Sequence, residues 1–80
     1  MRRISKIADG FAIVLKQHRL AKKLTHEALA ERAGLHPTYI SLLERFLRTP
    51  KLDVAQALAD ALELPLSELI ADAEGLRKRK

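Results

Sequence analysis

The side chains that could do chemistry in this 80-residue chain are few and widely spaced. The three histidines, His18, His26 and His36, lie too far apart for the one-turn pairing that a helical metal site uses. The chain has no cysteine, which excludes a thiol nucleophile, thiolate metal ligands and disulfides. Its serines have no evident base partner, and no glycine-rich phosphate loop is present. The sequence therefore predicts a protein that is not an enzyme and holds neither metal nor cofactor.

The charged side chains are divided unevenly along the chain. There are 15 Lys and Arg residues against 10 Asp and Glu residues, which gives a net charge of +5. Residues 1–6 and 76–80 are basic, and residues 7–51 have eight basic and four acidic side chains. Residues 52–75 have six acidic side chains and no basic one. The first two thirds of the chain are therefore expected to face a polyanion such as nucleic acid.

The apolar residues do not form a membrane span. The longest uninterrupted apolar run is Phe11–Leu15, far shorter than the roughly 20 residues that a span needs. The basic start, Met1–Arg3, resembles the beginning of a signal peptide, but Asp9 and Gly10 interrupt the apolar stretch after it. A cytoplasmic, nucleoid-associated protein of a bacterial or phage type is expected, with no membrane partner.

Five short helices are predicted from apolar spacing and from residues that begin or end helices. Thr25 is a natural N-cap, and Gly34 can adopt the left-handed conformation that ends a helix. Pro37 suits a first helical turn with His36 as a weak cap, and Pro50 prevents that helix from continuing. The predicted helices run from Ile7 or Phe11 to Lys22, from Thr25 to Gly34, from Pro37 to about Arg45, from Leu52 to Leu62, and from Pro65 onward.

Residues 25–44 form the most informative segment, because they place two short helices around a tight turn. In a helix-turn-helix, the first helix braces against the DNA backbone and the second lies in the major groove. Gly34 supplies the positive φ angle that the turn requires. This segment predicts a DNA-reading unit formed by helices 2 and 3.

The residues of this segment and its flanks resemble the lambda-repressor-like (Cro/repressor, or Xre) helix-turn-helix family. The likeness extends from about Phe11 to Ile70, and among family members the chain resembles small controller proteins of restriction-modification systems and single-domain repressors. It implies a compact all-α, five-helix domain that binds double-stranded DNA as a homodimer and recognises a pseudo-palindromic operator. The matching segments are residues 24–35, 39–45, 48–53, 58–62 and 64–69.

The resemblance also implies roles for individual positions. Residues at the start and outer face of helix 3 are expected to contact bases: Pro37, Thr38, Ser41 and Leu42. Residues around that helix are expected to contact the DNA backbone: His26, Tyr39, Arg45 and Arg48. Arg19 and Glu44 match a structural ion pair that joins helices 1 and 3.

The dimer interface is expected at the end of helix 4 and along the last helix. The residues assigned to it are Leu62, Leu64, Leu66, Leu69 and Ile70. The domain itself is expected to span residues 11–72. Residues 1–10 would form a basic arm and the start of helix 1, and residues 73–80 a disordered basic tail.

Four positions depart from the family pattern. Lys23 stands where a glycine is usual, and His18 stands where an apolar residue is usual. We expect His18 to be half-buried in the core. Phe46 and Leu47 follow helix 3, where a glycine or asparagine and a polar residue are usual. The two apolar side chains belong either to the core or to a partner surface. The second possibility keeps open an alternative function, an antitoxin-type module that binds a protein partner through this surface or through its C-terminal helix.

Overall fold

Five helices form the fold in a computed structural model that describes residues 6–77, without the side chain of Arg77. No strand occurs within this range, and none of its helices is long and apolar enough to cross a membrane. The all-α, five-helix prediction is therefore confirmed. Part of the predicted basic arm and tail, residues 1–5 and 78–80, lies outside the described residues. The helices are α1 (Ile7–Ala21), α2 (His26–Ala33), α3 (Pro37–Glu44), α4 (Leu52–Ala61) and α5 (Leu66–Arg77).

The helix starts of the reading unit depend on local side-chain caps. The backbone N–H of Ala28 donates to Thr25 Oγ1 at 3.0 Å. At the start of α3, the N–H of Thr38 donates to His36 Nδ1 at 3.1 Å, and Pro37 occupies the first turn. Each cap satisfies one of the amides that a helix start leaves unpaired, so both predicted caps are present.

Helices α1 to α4 all end in the same backbone motif. One residue adopts the left-handed conformation, and the N–H of the following residue donates to a carbonyl five positions earlier, as in Leu35 N–H to Ala30 O at 2.9 Å. Only one of the four left-handed residues is a glycine. The others therefore carry backbone strain of about 1–2 kcal/mol each. The four are Lys23 (φ 58°), Gly34 (φ 72°), Phe46 (φ 64°) and Glu63 (φ 62°).

A leucine follows the left-handed residue in each of these four motifs. Three of these leucines pack against the core and so hold the helix end in place: Leu24, Leu35 and Leu64. Leu47, which follows α3, is 59% exposed, and Phe46 before it is 44% exposed. The possibility that these two side chains belong to the core is therefore wrong for Leu47. It is also wrong for the exposed part of the Phe46 side chain.

The core lies where α1 crosses α5 and where α2, α3 and α4 close over them. Gly10 of α1 comes so close to α5 that an added Cβ would lie 2.7 Å from the carbonyl oxygen of Ala73. Ala73 is buried, and α5 continues to Arg77, so the ordered domain extends beyond the predicted boundary at residue 72. The largest fully buried side chains are Leu15, Leu29, Ile40, Leu43, Leu58, Leu62 and Leu69.

Candidate nucleic-acid interface

Helices α2 and α3 are held together by buried side chains on their facing sides. Leu29 and Ala30 of α2 and Ile40 and Leu43 of α3 are all buried in one cluster. Because these residues fix the inner face of α3, the opposite face of that helix must point outward.

The outward face of α3 presents the residues predicted to read bases. Thr38 is exposed, and Ser41 and Leu42 are half-buried. Positions 38, 41 and 42 have the three- and four-residue spacing that places side chains on one helix face. Pro37 is half-buried at the start of the same helix. The structure thus brings the four residues together along one helix that starts at a defined cap.

The residues predicted to contact the DNA backbone are more scattered. Arg45 is exposed at the end of α3, and Arg48 is exposed in the loop after it. Tyr39 is half-buried and packs against the core, so part of its ring has a structural role. His26 is the first residue of α2, and its ring lies within hydrogen-bond distance of Glu44.

Arg19 and Glu44 form a two-pronged ion pair between α1 and α3. Arg19 Nε donates to Glu44 Oε2 at 2.7 Å, and Nη2 donates to Oε1 at 3.0 Å. Arg19 Nη1 donates to the carbonyl of Leu24 at 2.8 Å, so the guanidinium also holds the turn before α2. Arg19 is only 7% exposed, so this pair is a buried connection between α1 and the C-terminal end of α3.

His26 joins this pair, which the sequence did not predict. Its Nε2 lies 3.0 Å from Glu44 Oε1, so one carboxylate is shared by side chains from α1 and α2. Burial alone would raise the pKa of Glu44, but hydrogen bonds from Arg19 and His26 and their positive charge outweigh it. The pKa of Glu44 therefore lies below its ordinary value, and the carboxyl is ionised at neutral pH.

Two of the predicted dimer residues are placed elsewhere. Leu62 and Leu69 have no exposed surface and belong to the core of the single chain, so neither can contact a partner directly. The assignment of these two residues to the interface is corrected on that ground. Leu64, Leu66 and Ile70 are half-buried against the same core.

His18 makes a polar contact in addition to being partly buried. His18 is half-buried, as expected, and its Nε2 lies 3.2 Å from Asp72 Oδ2 on α5. The histidine therefore connects the first and last helices by a polar contact rather than by apolar packing alone.

A helix-turn-helix family model matches residues 15–69, which include this reading unit and its supporting helices. The chain belongs to the lambda-repressor-like (Xre) helix-turn-helix family. That family consists of DNA-binding transcription regulators rather than enzymes, and this chain is a DNA-binding regulator of that kind. No curated protein matches the sequence.

Three solved structures illustrate the relationship. The restriction-modification controller protein C.AhdI from Aeromonas hydrophila is 35% identical, with a TM-score of 0.74 over 78% of this chain and 94% of that chain. The controller protein C.Esp1396I is 26% identical, with a TM-score of 0.85 over 95% and 97% of the two chains. The clp gene regulator ClgR from Corynebacterium glutamicum is 23% identical, with a TM-score of 0.86 over 94% and 97%, and so shares the fold.

Proposed function

We propose that this regulator reads a specific, pseudo-palindromic operator as a homodimer and acts as a repressor or controller. The observation that carries the proposal is the capped helix α3, whose outer face presents Thr38, Ser41 and Leu42. Thr38 can hydrogen-bond a base edge, and Leu42 can contact a thymine methyl group. The likeness to two restriction-modification controller proteins supports a regulator of this size and type.

The distribution of charge also favours an orientation in which α3 faces the DNA. Residues 7–51, which include α1 to α3, have eight basic and four acidic side chains, whereas residues 52–75 have six acidic ones and no basic one. Phosphates attract the first half and repel the second. The acidic half is therefore directed away from the duplex, where a second copy of the chain can bind.

Two substitutions separate base reading from backbone binding. Thr38→Ala is expected to change the sequence preference, with up to about a tenfold loss on the best site and little loss on unrelated DNA. Arg45→Ala is expected to weaken all sequences alike and to flatten the salt dependence. Selection from random DNA supplies the best site, and titrations at several salt concentrations measure both effects. If both variants weaken every sequence equally, Thr38 does not read bases.

We propose a dimer surface different from the one that the sequence suggested. An apolar groove of about 300 Å³ lies between the start of α1, the start of α4 and α5. Leu52 lies at its edge and is 75% exposed. A groove and a protruding leucine on the same face can pair across a two-fold axis, since each chain then fills the groove of the other. Residues that line the groove include Ile7, Phe11, Pro50, Leu52, Ala55 and Ile70.

This surface places Ile70 of the original assignment at the interface and leaves Leu62 and Leu69 in the core. It also includes Pro50, in the loop that follows α3, and we propose that the two α3 helices of the dimer flank its two-fold axis. For successive major grooves on one face of B-DNA, they should lie about 34 Å apart.

Leu52→Asp is expected to halve the apparent mass in sedimentation, because it introduces a charge into the apolar contact. Leu20→Asp is the matched control: Leu20 is also exposed, at 55%, but does not line the groove. Both side chains are largely in solvent, so both variants should stay folded by circular dichroism. An unchanged mass for Leu52→Asp, or a halved mass for Leu20→Asp, would refute this interface.

The exposed Phe46 and Leu47 favour one second candidate, an antitoxin-type module that holds a protein partner. Phe46 is 44% and Leu47 59% exposed, and adjacent large apolar side chains with this much exposed surface are typical of a contact surface. This candidate predicts a stoichiometric protein partner whose capture is lost in the Phe46→Ser, Leu47→Ser double variant. Equal binding to all DNA sequences would favour it over the operator-reading function.

A further inference from the structure

The His26 ring lies between a buried carboxylate and solvent at the start of α2. Its side chain is 36% exposed, whereas that of Glu44, its partner at 3.0 Å, is 5% exposed. One ring nitrogen, Nε2, is therefore engaged with the interior. The remainder of the ring reaches the surface at the positive end of the α2 dipole, where an anion is attracted.

The hydrogen-bond chemistry of this pair fixes the position of the ring proton. An ionised carboxylate only accepts hydrogen bonds, and Glu44 Oε1 already accepts one from Arg19 Nη2. His26 Nε2 must therefore carry the hydrogen that it shares with Glu44. In the neutral ring the other nitrogen, Nδ1, then has a lone pair and no hydrogen.

Charged side chains of other elements also lie around α2. Arg19 from α1 and Glu44 from α3 act on the ring through the shared carboxylate. On the α4 side, Asp60 and Glu63 line a cavity with Arg32, in the last turn of α2. Glu63 also pairs with Lys22 at 3.5 Å.

Glu27, the neighbour of His26 along α2, is exposed. Among the contacts of the described residues, Glu44 is thus the charged partner that the ring touches directly.

We propose that His26 contacts a DNA phosphate only as the imidazolium, so that operator binding takes up a proton at each half-site. This proposal rests on the proposed DNA-reading function. A phosphate oxygen, like a carboxylate, only accepts hydrogen bonds, and a neutral ring between two such acceptors has one hydrogen to give. The protonated ring donates Nε2–H to Glu44 and Nδ1–H to the phosphate, and it adds a positive charge.

The test is operator affinity as a function of pH at constant ionic strength, from about pH 5 to 8. Affinity is expected to fall as pH rises, by up to about tenfold per pH unit for each half-site, the limit for one linked proton. His26→Gln has an amide that donates at every pH, so the fall in affinity with rising pH should disappear whatever its absolute affinity. Calorimetry of the unaltered protein in buffers of different ionisation enthalpy should detect the proton uptake directly.

The other two histidines provide controls. His36 Nδ1 accepts the N–H of Thr38, so protonation of His36 breaks the α3 cap and weakens binding at low pH, the opposite direction. His36→Asn retains a capping side chain and removes that effect. His18→Gln, at the contact between α1 and α5, should leave the pH dependence as it is.

Two outcomes would overturn the proposal, and they are distinguishable. A fall in affinity with rising pH that is as steep in His26→Gln as in the unaltered protein, or the absence of any buffer-dependent enthalpy in the unaltered protein, refutes the proton-linked contact alone. A protein that binds no DNA sequence at any pH refutes the proposed function together with it.

Discussion

Glu44→Ala is expected to destabilise the fold by about 3–5 kcal/mol, because it leaves the Arg19 guanidinium buried without its counter-charge. Arg19 Nε and Nη2 both lose their acceptor, and His26 loses its partner on α3. Domains of this size are stable by only about 5–15 kcal/mol, so the loss is a large share of the total. Urea denaturation at pH 7 measures it as a lower midpoint at an unchanged slope.

A polar pair that is less buried, His18 and Asp72, provides the matched control. His18 and Asp72 also join two helices, but Asp72 is exposed, so Asp72→Ala is expected to cost about 1 kcal/mol or less. The double variant Arg19→Met, Glu44→Leu should regain much of the stability that Glu44→Ala loses, since no charge is then buried alone. A Glu44→Ala midpoint no lower than that of Asp72→Ala would contradict the assigned role of the buried pair.

The pH dependence of stability provides a second readout of the same pair. The pKa of Glu44 is lowered in the folded chain by the hydrogen bonds and charge of Arg19 and His26, which outweigh its burial. A lowered carboxyl pKa stabilises the fold fully above the unfolded value, about 4.3 for glutamate. This stabilisation is lost as pH falls through the folded pKa, and Glu44→Gln should lack that acid-side loss.

The elements of the reading unit are predictable from the sequence because their signals are local. Thr25 and His36 cap helices through bonds to residues two or three positions away, and Pro37 begins α3 whatever surrounds it. Gly34 takes a positive φ that costs a glycine little. Such features need no knowledge of the rest of the fold, so the outline of α2, the turn and α3 follows from the residues themselves.

The assignment of apolar faces is less predictable. Three- and four-residue spacing places Leu52 and Leu62 on one stripe of α4, yet Leu52 is exposed and Leu62 is fully buried. The stripe shows which side of a helix is apolar, but not how far along it the neighbouring helices extend. Leu69 is likewise predicted to contact a partner, although its own chain covers it completely.

The polar cluster was only half predictable. Arg19 and Glu44 were paired through the family resemblance, whereas His26 was assigned to DNA alone. Its bond to Glu44 joins residues 18 positions apart and depends on the crossing of α2 over α3, which no local spacing encodes. The two roles are compatible, because a ring has two nitrogens and the carboxylate engages one of them.

Gly10→Ala is expected to destabilise the protein by about 1–3 kcal/mol, although alanine is the better helix former. The new Cβ would lie 2.7 Å from the carbonyl oxygen of Ala73 and 3.3 Å from its carbonyl carbon and Cα. These are backbone atoms of α5 that cannot rotate away, so α1 and α5 must separate. Thermal unfolding followed by circular dichroism measures the change.

Gly75→Ala is the matched control on the other helix of the same contact. Gly75 lies within α5, and an added Cβ would meet nothing within 4 Å. At this position alanine meets no neighbouring atom, so its higher helix propensity is expected to stabilise the protein by up to about 1 kcal/mol. The two glycine-to-alanine changes should thus shift the melting temperature in opposite directions, by a combined amount on the order of 10–20 °C. If both variants are more stable than the parent, α1 and α5 are not in close backbone contact at Gly10. A clash with backbone atoms can only lower the stability.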